Sequence, residues 1–187
     1  MRVGASAFTH PAALVACLAA VIGFAVFAGC AEQPMNNPVG PLSSVTVDGI
    51  VYTVKSARVL NPGDPEDRIF LDGRRPAAGR TFVGLFLVMC NDASSLRRSS
   101  DDLRLSGPPG STASRIEREG SPLSYEPQPL TPRECAPRPS SAPGRAAGAL
   151  LALFDLPDGA APRRPLDFGV EALDGSVRRV RVVSVGE

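Results

Sequence analysis

Four cysteines are the residues of this chain with the widest choice of chemistry, and their positions separate them into two groups. Cys17 and Cys30 lie within or directly after an apolar N-terminal stretch, whereas Cys90 and Cys135 lie far along the chain. A cysteine can be acylated, bind a metal or form a disulfide, and the redox compartment decides between these fates. The surroundings of Cys30 therefore determine how the other cysteines are interpreted.

The first 30 residues have the layout of a secretory signal peptide. Arg2 supplies a positive start, residues 12–27 are almost uniformly apolar, and Ala28 and Gly29 directly precede Cys30. This arrangement resembles the lipobox of bacterial lipoproteins, in which the cysteine sulfur is diacylated and the leader is cut in front of it. The resemblance implies that Cys30 is acylated and is the first residue of the mature protein.

Two other interpretations of this segment stay open: a membrane-spanning helix, or a structural thiol buried in a helix. An apolar stretch of this length is at the short end of the roughly 17–25 residues that cross a bilayer. No Lys or Arg cluster follows to stop transfer, and the polar residues 31–41 are typical of a tether. We therefore predict a lipoprotein signal peptide over 1–29, a lipid anchor and flexible tether over 30–43, and a lipid-anchored protein on the extracytoplasmic face of the cell membrane.

Cys90 and Cys135 remain as a pair once Cys17 is removed with the leader and Cys30 is acylated. Two cysteines in an exported domain form one bridge more often than not, so we predict a disulfide between them. In the chain-entropy model, closing a loop of this length stabilises the fold by about 4 kcal/mol.

The single histidine, His10, lies in the leader, so the mature protein has no histidine on this interpretation. Its loss excludes Ser-His-Asp and Cys-His catalysis and His-ligated zinc. Of the 20 Lys and Arg residues one is Arg2, which leaves 19 against 19 Asp and Glu after cleavage. A chain without net charge has no summed field that attracts nucleic acid. We therefore predict no enzyme activity, no cofactor and no nucleic-acid partner.

The acidic residues Asp64, Glu66 and Asp67 form the candidate cation site of the sequence. Carboxylate oxygens bind Ca²⁺, but this spacing fits no EF-hand loop. The segment NPGDPEDR is also rich in turn-forming residues, so we predict a turn and assign no metal. A hydrolase that uses carboxylates or a bound Ca²⁺ remains the alternative function, and a structural spacer of the envelope is a third.

The remainder of the chain has the pattern of short β-strands. Apolar residues alternate on both sides of Asp48-Gly49, which suits a type I′ turn and predicts a hairpin. The segment GRTFVGLFLVMCND is apolar on both faces, as expected of a central strand covered on both sides. Further strands are predicted at 69–71, 103–105, 123–125, 148–156, 166–172 and 177–185.

Three segments together resemble one family. GRTFVGLFLVMCND, PGRAAGALLALFDLP and RPLDFGVEALDG are similar to strands of a bacterial extracytoplasmic immunoglobulin-like domain of unknown function, sometimes labelled telomeric-repeat-binding-factor-like. The resemblance implies a β-sandwich in the cell envelope with no catalytic residues to carry over. We therefore predict an all-β, immunoglobulin-like antiparallel β-sandwich of seven or eight strands over 44–187, with one long proline-rich loop over 107–143.

The long loop over 107–143 is the expected binding surface, because rigid sandwiches present loops for recognition. We expect an envelope protein or a glycan as the partner, and contact with the membrane through the lipid anchor. On this view, deletion of residues 110–132 leaves the fold largely intact. Arg178, Arg179 and Arg181 form a small basic patch that we interpret as a solvated strand face.

Overall fold

The structure, a computed structural model, describes residues 43–107, 110–118, 120–160 and 165–182, all within the unit Pro38–Glu187. These ranges contain eleven strands and two short helices. They are β1 Ser43–Val47, β2 Ile50–Leu60, α1 Pro65–Leu71, β3 Arg80–Asn91, β4 Arg97–Arg98, β5 Leu103–Gly107, β6 Ser111–Ile116, β7 Pro129–Leu130, β8 Cys135–Ala136, α2 Ala142–Ala146, β9 Leu150–Pro157, β10 Leu166–Glu171 and β11 Val177–Val182.

Eight of the strands form one continuous antiparallel path, in the order β1-β2-β3-β9-β6-β5-β10-β11. β6 joins the two layers, because it pairs with β9 at Arg115 and Ile116 and with β5 along Ser111–Ser114. The outer strands β1 and β11 also meet, since the Ser43 hydroxyl donates to the Arg181 carbonyl oxygen at 2.6 Å. The predicted all-β antiparallel sandwich is confirmed: with β8 paired to β3 the main sheet of the described residues has nine strands, and it closes almost into a barrel.

The central strand β3 is covered on both sides, as its sequence predicts. Leu85 and Leu87 belong to the main core between the two layers, which also contains the fully buried rings of Tyr52, Phe154 and Phe168. Its alternate residues face a second apolar cluster under α1, made up of Leu60, Leu71, Phe82, Phe86, Ala149, Leu151 and Leu153. Burial of each large apolar side chain contributes about 1.5–3 kcal/mol, so β3 is the strand on which most of the core depends.

The predicted hairpin at Asp48-Gly49 is confirmed. Asp48 has φ 50° and Gly49 has φ 83°, the two positive angles that a type I′ turn requires. Gly49 is also required by space, because a Cβ atom there would lie 2.9 Å from the Cβ of Ala93. The turn therefore packs directly on the segment that follows β3.

Residues 65–71 form helix α1, so the predicted edge strand at 69–71 is wrong. The Asp64 carboxylate accepts a hydrogen bond from the Glu66 backbone N–H at 2.9 Å, and Pro65 occupies the first turn. An Asp cap followed by proline is a helix-start signal. A helix of seven residues is too short to show a clear period of 3.6, so the pattern of apolar residues does not reveal it.

The segment 107–143 contains more regular structure than a long loop with one strand at 123–125. β6 lies at Ser111–Ile116, whereas 123–125 contributes a single parallel bridge between Ser124 and Leu151. Tyr125 and Leu130 are buried in the main core. Deletion of 110–132 removes the strand that joins the layers together with these side chains, so we expect it to unfold the domain.

The strand directions define two ends of the sandwich. β1 begins at Ser43, and antiparallel pairing places the last residues of β2 and β11 at the same end, which we call the Ser43 end. The opposite end, which we call the distal end, carries the 48–49 turn, residues 92–102 and the 172–176 turn.

No helix within the described ranges has the length and apolarity to cross a bilayer. The predicted leader and Cys30 lie outside these ranges.

Candidate functional site

Two buried tyrosines fix the chain above the core at the distal end. The Tyr52 hydroxyl oxygen accepts from the Ser100 backbone N–H at 2.7 Å, and the Tyr125 hydroxyl donates to the Ser100 carbonyl oxygen at 2.6 Å. Burial raises the pKa of both phenols, so they stay neutral and serve as hydrogen-bonding groups. Residues 99–102 are therefore held in a defined conformation.

The Asn91 side chain hydrogen-bonds two segments to the end of β3. Its buried side-chain Nδ2 donates to the carbonyl oxygens of Ser95 and Leu130, both at 2.8 Å. Its Oδ1 accepts from the Ala93 backbone N–H at 2.9 Å. The segment that follows β3 and strand β7 are thereby both joined to the end of β3. The nitrogen and the oxygen of the Asn91 amide are both hydrogen-bonded.

The disulfide between Cys90 and Cys135 makes a second attachment at the same place. The two residues are 45 positions apart in sequence and are directly opposed partners of β3 and β8. The turn before Cys135 is closed by the Glu134 carboxylate, which accepts from the Thr131 backbone N–H at 2.9 Å and from the Arg138 guanidinium. These bonds lower the pKa of Glu134 to about 2, with the Thr131 backbone N–H as the largest cause.

Between residues 98–101 and residues 115–127 lies a cleft of about 390 Å³, which we call the arginine cleft. It is bounded by the chain that the tyrosines fix and by the segment that follows β6. Among the described residues, three cationic and three anionic side chains line it. The charged lining residues are Arg98, Arg115, Arg118, Asp101, Glu117 and Glu126.

Arg118 is the most buried charged residue of the cleft, with 3% of its surface exposed. Its Nη2 donates to the Asp72 carboxylate and to the Ser121 hydroxyl, the latter at 3.0 Å. Its Nε and Nη1 have no partner within the part of the chain that the structure describes. An unpaired buried donor costs about 1–3 kcal/mol, so two of them on one side chain call for an explanation.

Arg115 lies next to Arg118 along the same wall. Its guanidinium carbon is 5.4 Å from the centre of the Tyr125 ring, and its Nη1 donates to the Tyr125 carbonyl oxygen at 3.4 Å. The Nε of Arg115 is buried and also has no partner among the described residues. Three guanidinium nitrogens of the arginines that line the cleft are therefore buried without a partner among the described protein atoms.

The acidic side of the cleft is exposed. Glu117 and Glu126 are exposed to solvent, and neither forms an ion pair with another described residue. Asp101 lies 4.0 Å from Arg98 in a solvent-exposed pair, which contributes little energy. Both signs of charge are thus available to a molecule that enters the cleft.

A smaller cavity of about 210 Å³ lies beside Tyr52, with Asp102 and Glu171 in its lining. The Arg104 Nη2 contacts Asp102 Oδ2 and Glu171 Oε2, both at 2.5 Å. Hydrogen bonds from Arg104 lower the pKa of Asp102. The two carboxylates therefore share the Arg104 guanidinium in one ion-pair network.

The acidic residues predicted as a turn or a calcium site have separate structural roles. Asp64 caps α1, while buried Asp67 contacts the Arg58 guanidinium at 2.7 Å and accepts from the Asn61 backbone N–H at 2.8 Å. Within the described ranges, no three His, Cys, Asp or Glu side chains are grouped to hold a metal ion. Glu66 remains exposed in the first turn of the helix.

The other residues predicted as sites lie at separate positions or outside the described ranges. Cys30 lies outside the described residues, and Cys90 and Cys135 are bonded to each other. The basic patch of β11 is exposed, and Arg181 lies 3.5 Å from Asp167. We did not predict the arginine cleft from the sequence, because Arg115 and Arg118 belong to the segment 107–143 that we interpreted as a loop. The charged run SRIEREG, without a proline and with its glycine only at the end, was the available sign of an ordered segment there.

No family model and no curated protein matches the chain. Among solved structures, it is similar to "a putative lipoprotein (ycdA)" from Bacillus subtilis, with a TM-score of 0.49, 6% identity and 78% of this chain covered. It is also similar to an uncharacterized β-sandwich protein from Clostridium difficile 630, with a TM-score of 0.40, 14% identity, and 73% of this chain and 87% of that chain covered. The match spans 39% of the length of the Bacillus protein.

Proposed function

We propose that the chain is an envelope lipoprotein, anchored in the cell membrane through Cys30, whose sandwich is a non-enzymatic binding module. Its partner is an envelope protein or a glycan. The observation that carries the proposal is the arginine cleft, which is lined by two arginines with three buried guanidinium nitrogens that lack partners in the described protein. A cleft whose lining includes buried polar side chains with unmet hydrogen-bonding capacity is a default candidate for a binding site.

The direction of the strands supports display of the cleft away from the anchor. The chain enters the sandwich at Ser43, whereas Arg98 and Asp101 belong to the distal end. The 13 residues from Cys30 to Ser43 reach at most about 45 Å when extended. Attachment through this tether would join the membrane to the Ser43 end and leave the distal end free to meet a partner.

The rigidity of the distal end supports recognition. The tyrosines hold residues 99–102, while Asn91 and the disulfide hold the segment that runs from Leu130 to Cys135. Loops fixed on a rigid scaffold lose little conformational entropy when they bind. Because Tyr125 belongs to segment 115–127 and its hydroxyl donates to the Ser100 carbonyl oxygen, the two sides of the cleft are held to each other.

Site-specific photocrosslinking of the full-length protein in its native cell tests this proposal. A photoreactive amino acid replaces exposed Glu126 in the cleft or, as the matched control, exposed Asp158 at the Ser43 end. We expect a discrete crosslinked product from position 126 and none from position 158. Equal labelling at both positions, or none at position 126, would contradict a binding site in the cleft and favour a structural spacer.

A further inference from the structure

We propose that the Ser43 end of the sandwich docks on the membrane itself, and that its partner there is the headgroup layer of anionic phospholipids. The docking surface consists of Arg68, Ile69, Arg74 and Arg75, which we call the Ile69 patch. The inference rests on the proposed lipid anchor, because that anchor brings this end of the sandwich to the bilayer.

The Ile69 patch belongs to the connection between β2 and β3. Ser43 is paired with Val54, and β2 continues beyond this pair to Leu60. β3 begins at Arg80 and runs back antiparallel to β2, so the connection over 61–79 lies at the Ser43 end. The patch is therefore at the end of the sandwich where the chain enters from the tether.

Three arginines of this connection are grouped at the surface. Arg68, Arg74 and Arg75 line one surface pocket of about 310 Å³. All three are exposed, and none forms an ion pair with another described residue. Arg80, at the same end, is instead bonded to Asp155 at 3.1 Å. The three grouped guanidinium groups suit the phosphate oxygens of lipid headgroups.

The four carboxylates of the same connection oppose these arginines only in part. Asp67 and Asp72 each contact an arginine from another part of the chain, and Asp64 caps α1. Glu66 is exposed in the first turn of the helix. No Asp or Glu is among the described residues that line the arginine pocket. The pocket therefore presents its three cations to an anionic surface.

An exposed apolar side chain accompanies the arginines. Ile69 follows Arg68 in α1 and is 59% exposed, whereas Leu71 is buried and the half-buried Phe70 packs against the second apolar cluster. Segments that bind at a bilayer surface place apolar side chains at the boundary of headgroups and acyl chains, with cations beside the lipid phosphates. This combination favours a membrane surface over a soluble anion as the partner.

Docking of the Ile69 patch would fix the orientation of the sandwich, which a flexible tether alone does not. Each arginine near an anionic surface strengthens the contact about fivefold, so three arginines favour the docked state on the order of a hundredfold. The distal end then points away from the bilayer, towards the partner of the proposed binding module.

NMR of the full-length, acylated protein in lipid nanodiscs tests the inference. The isoleucine δ1 methyl groups carry ¹³C, and the discs contain a lipid with a spin-labelled headgroup in either phosphatidylcholine or a mixture with anionic phosphatidylglycerol. In the anionic discs we expect stronger broadening of the Ile69 methyl signal than of Ile50, which is buried at the distal end. The difference should disappear in phosphatidylcholine discs and at high salt, because salt screens exposed charges.

A pair of double variants provides the matched comparison. Arg74→Gln with Arg75→Gln should lower the ratio of docked to undocked protein about 25-fold, fivefold for each charge removed. Arg178→Gln with Arg179→Gln also removes two exposed neighbouring arginines, from the part of β11 next to the distal end, and should leave the ratio unchanged. All four positions are exposed, so both variants keep the core intact.

Three results would overturn the inference: equal broadening of Ile69 and Ile50 in anionic discs, the same difference between them in phosphatidylcholine discs, or equal effects of the two double variants. Protein that is retained in both kinds of disc without the Ile69 effect would refute the docking surface and leave the proposed anchor standing. Protein that neither kind of disc retains would refute both proposals.

Discussion

At the residue scale, Asn91 and Arg118 are two buried polar side chains in opposite states. The amide of Asn91 donates twice and accepts once, so its burial is compensated within the protein. Two guanidinium nitrogens of Arg118 are buried without such compensation. The first arrangement stabilises the fold, whereas the second leaves hydrogen-bonding capacity that the described residues do not meet.

The ionised form of Glu134 should make a pH-dependent contribution to stability. Its pKa falls from 4.5 to about 2 on folding, so the contribution is complete above pH 4.5 and is lost as pH falls towards 2. We expect Glu134→Gln to be less stable than the native protein at pH 7, and the difference to disappear between pH 4.5 and pH 2.

Chemical denaturation at a series of pH values measures this difference. Glu126→Gln is the control, because Glu126 is exposed and has no hydrogen-bond partner among the described residues. A difference between native protein and Glu134→Gln that stays constant down to pH 2 would show that the charge of Glu134 does not stabilise the turn.

At the element scale, the strands were predictable where the pattern is local. The two-sided apolar run of β3 and the Asp48-Gly49 turn determine their elements within a few residues. β6 was missed because its sequence STASRI is polar and half exposed, and its place between β9 and β5 depends on distant residues. The arginine cleft could not be predicted for the same reason, since it forms only when 98–101 and 115–127 pack together.

The attachment of α1 to the sheet depends on Asp67 and Arg58. The Arg58 guanidinium lies 5.3 Å and 5.6 Å from the ring centres of Phe70 and Phe86, and Asp67 contacts it from the helix. We expect Asp67→Ala to destabilise the protein by about 2 kcal/mol, because it removes a buried acceptor and an ion-pair partner.

Urea unfolding combined with hydrogen exchange of the helix amides checks this effect. Glu66→Ala, on the exposed side of the same helix, should change stability by less than about 0.5 kcal/mol. Equal effects of the two substitutions would mean that the buried contacts of Asp67 do not hold α1 in place.

The disulfide should be the strongest single attachment of the segment between β6 and β9. Replacing Cys90 and Cys135 together by alanine should lower the free energy of unfolding by up to about 4 kcal/mol, because the 45-residue loop becomes free in the unfolded chain. Denaturant unfolding of this double variant and of the reduced native protein should give the same loss. An unchanged midpoint in both would contradict a stabilising bridge.

At the scale of the whole molecule, the first strand and the proposed site lie at opposite ends of the sandwich. Ser43 begins the first strand at one end, and the arginine cleft is bounded by residues 98–101 at the other. On the proposed function, the distal end meets a partner at a distance from the membrane. We therefore propose that binding in the cell requires acylation at Cys30 as well as the cleft.

Intact mass spectrometry tests the proposed lipid-anchored module most directly. The protein is purified from its native membrane and measured before and after reduction. We predict the mass of residues 30–187 with a thioether-linked diacylglycerol and any further acyl chain, and a gain of two hydrogens on reduction of the disulfide. The mass of residues 1–187 with an unmodified Cys30 would contradict the lipid-anchored module.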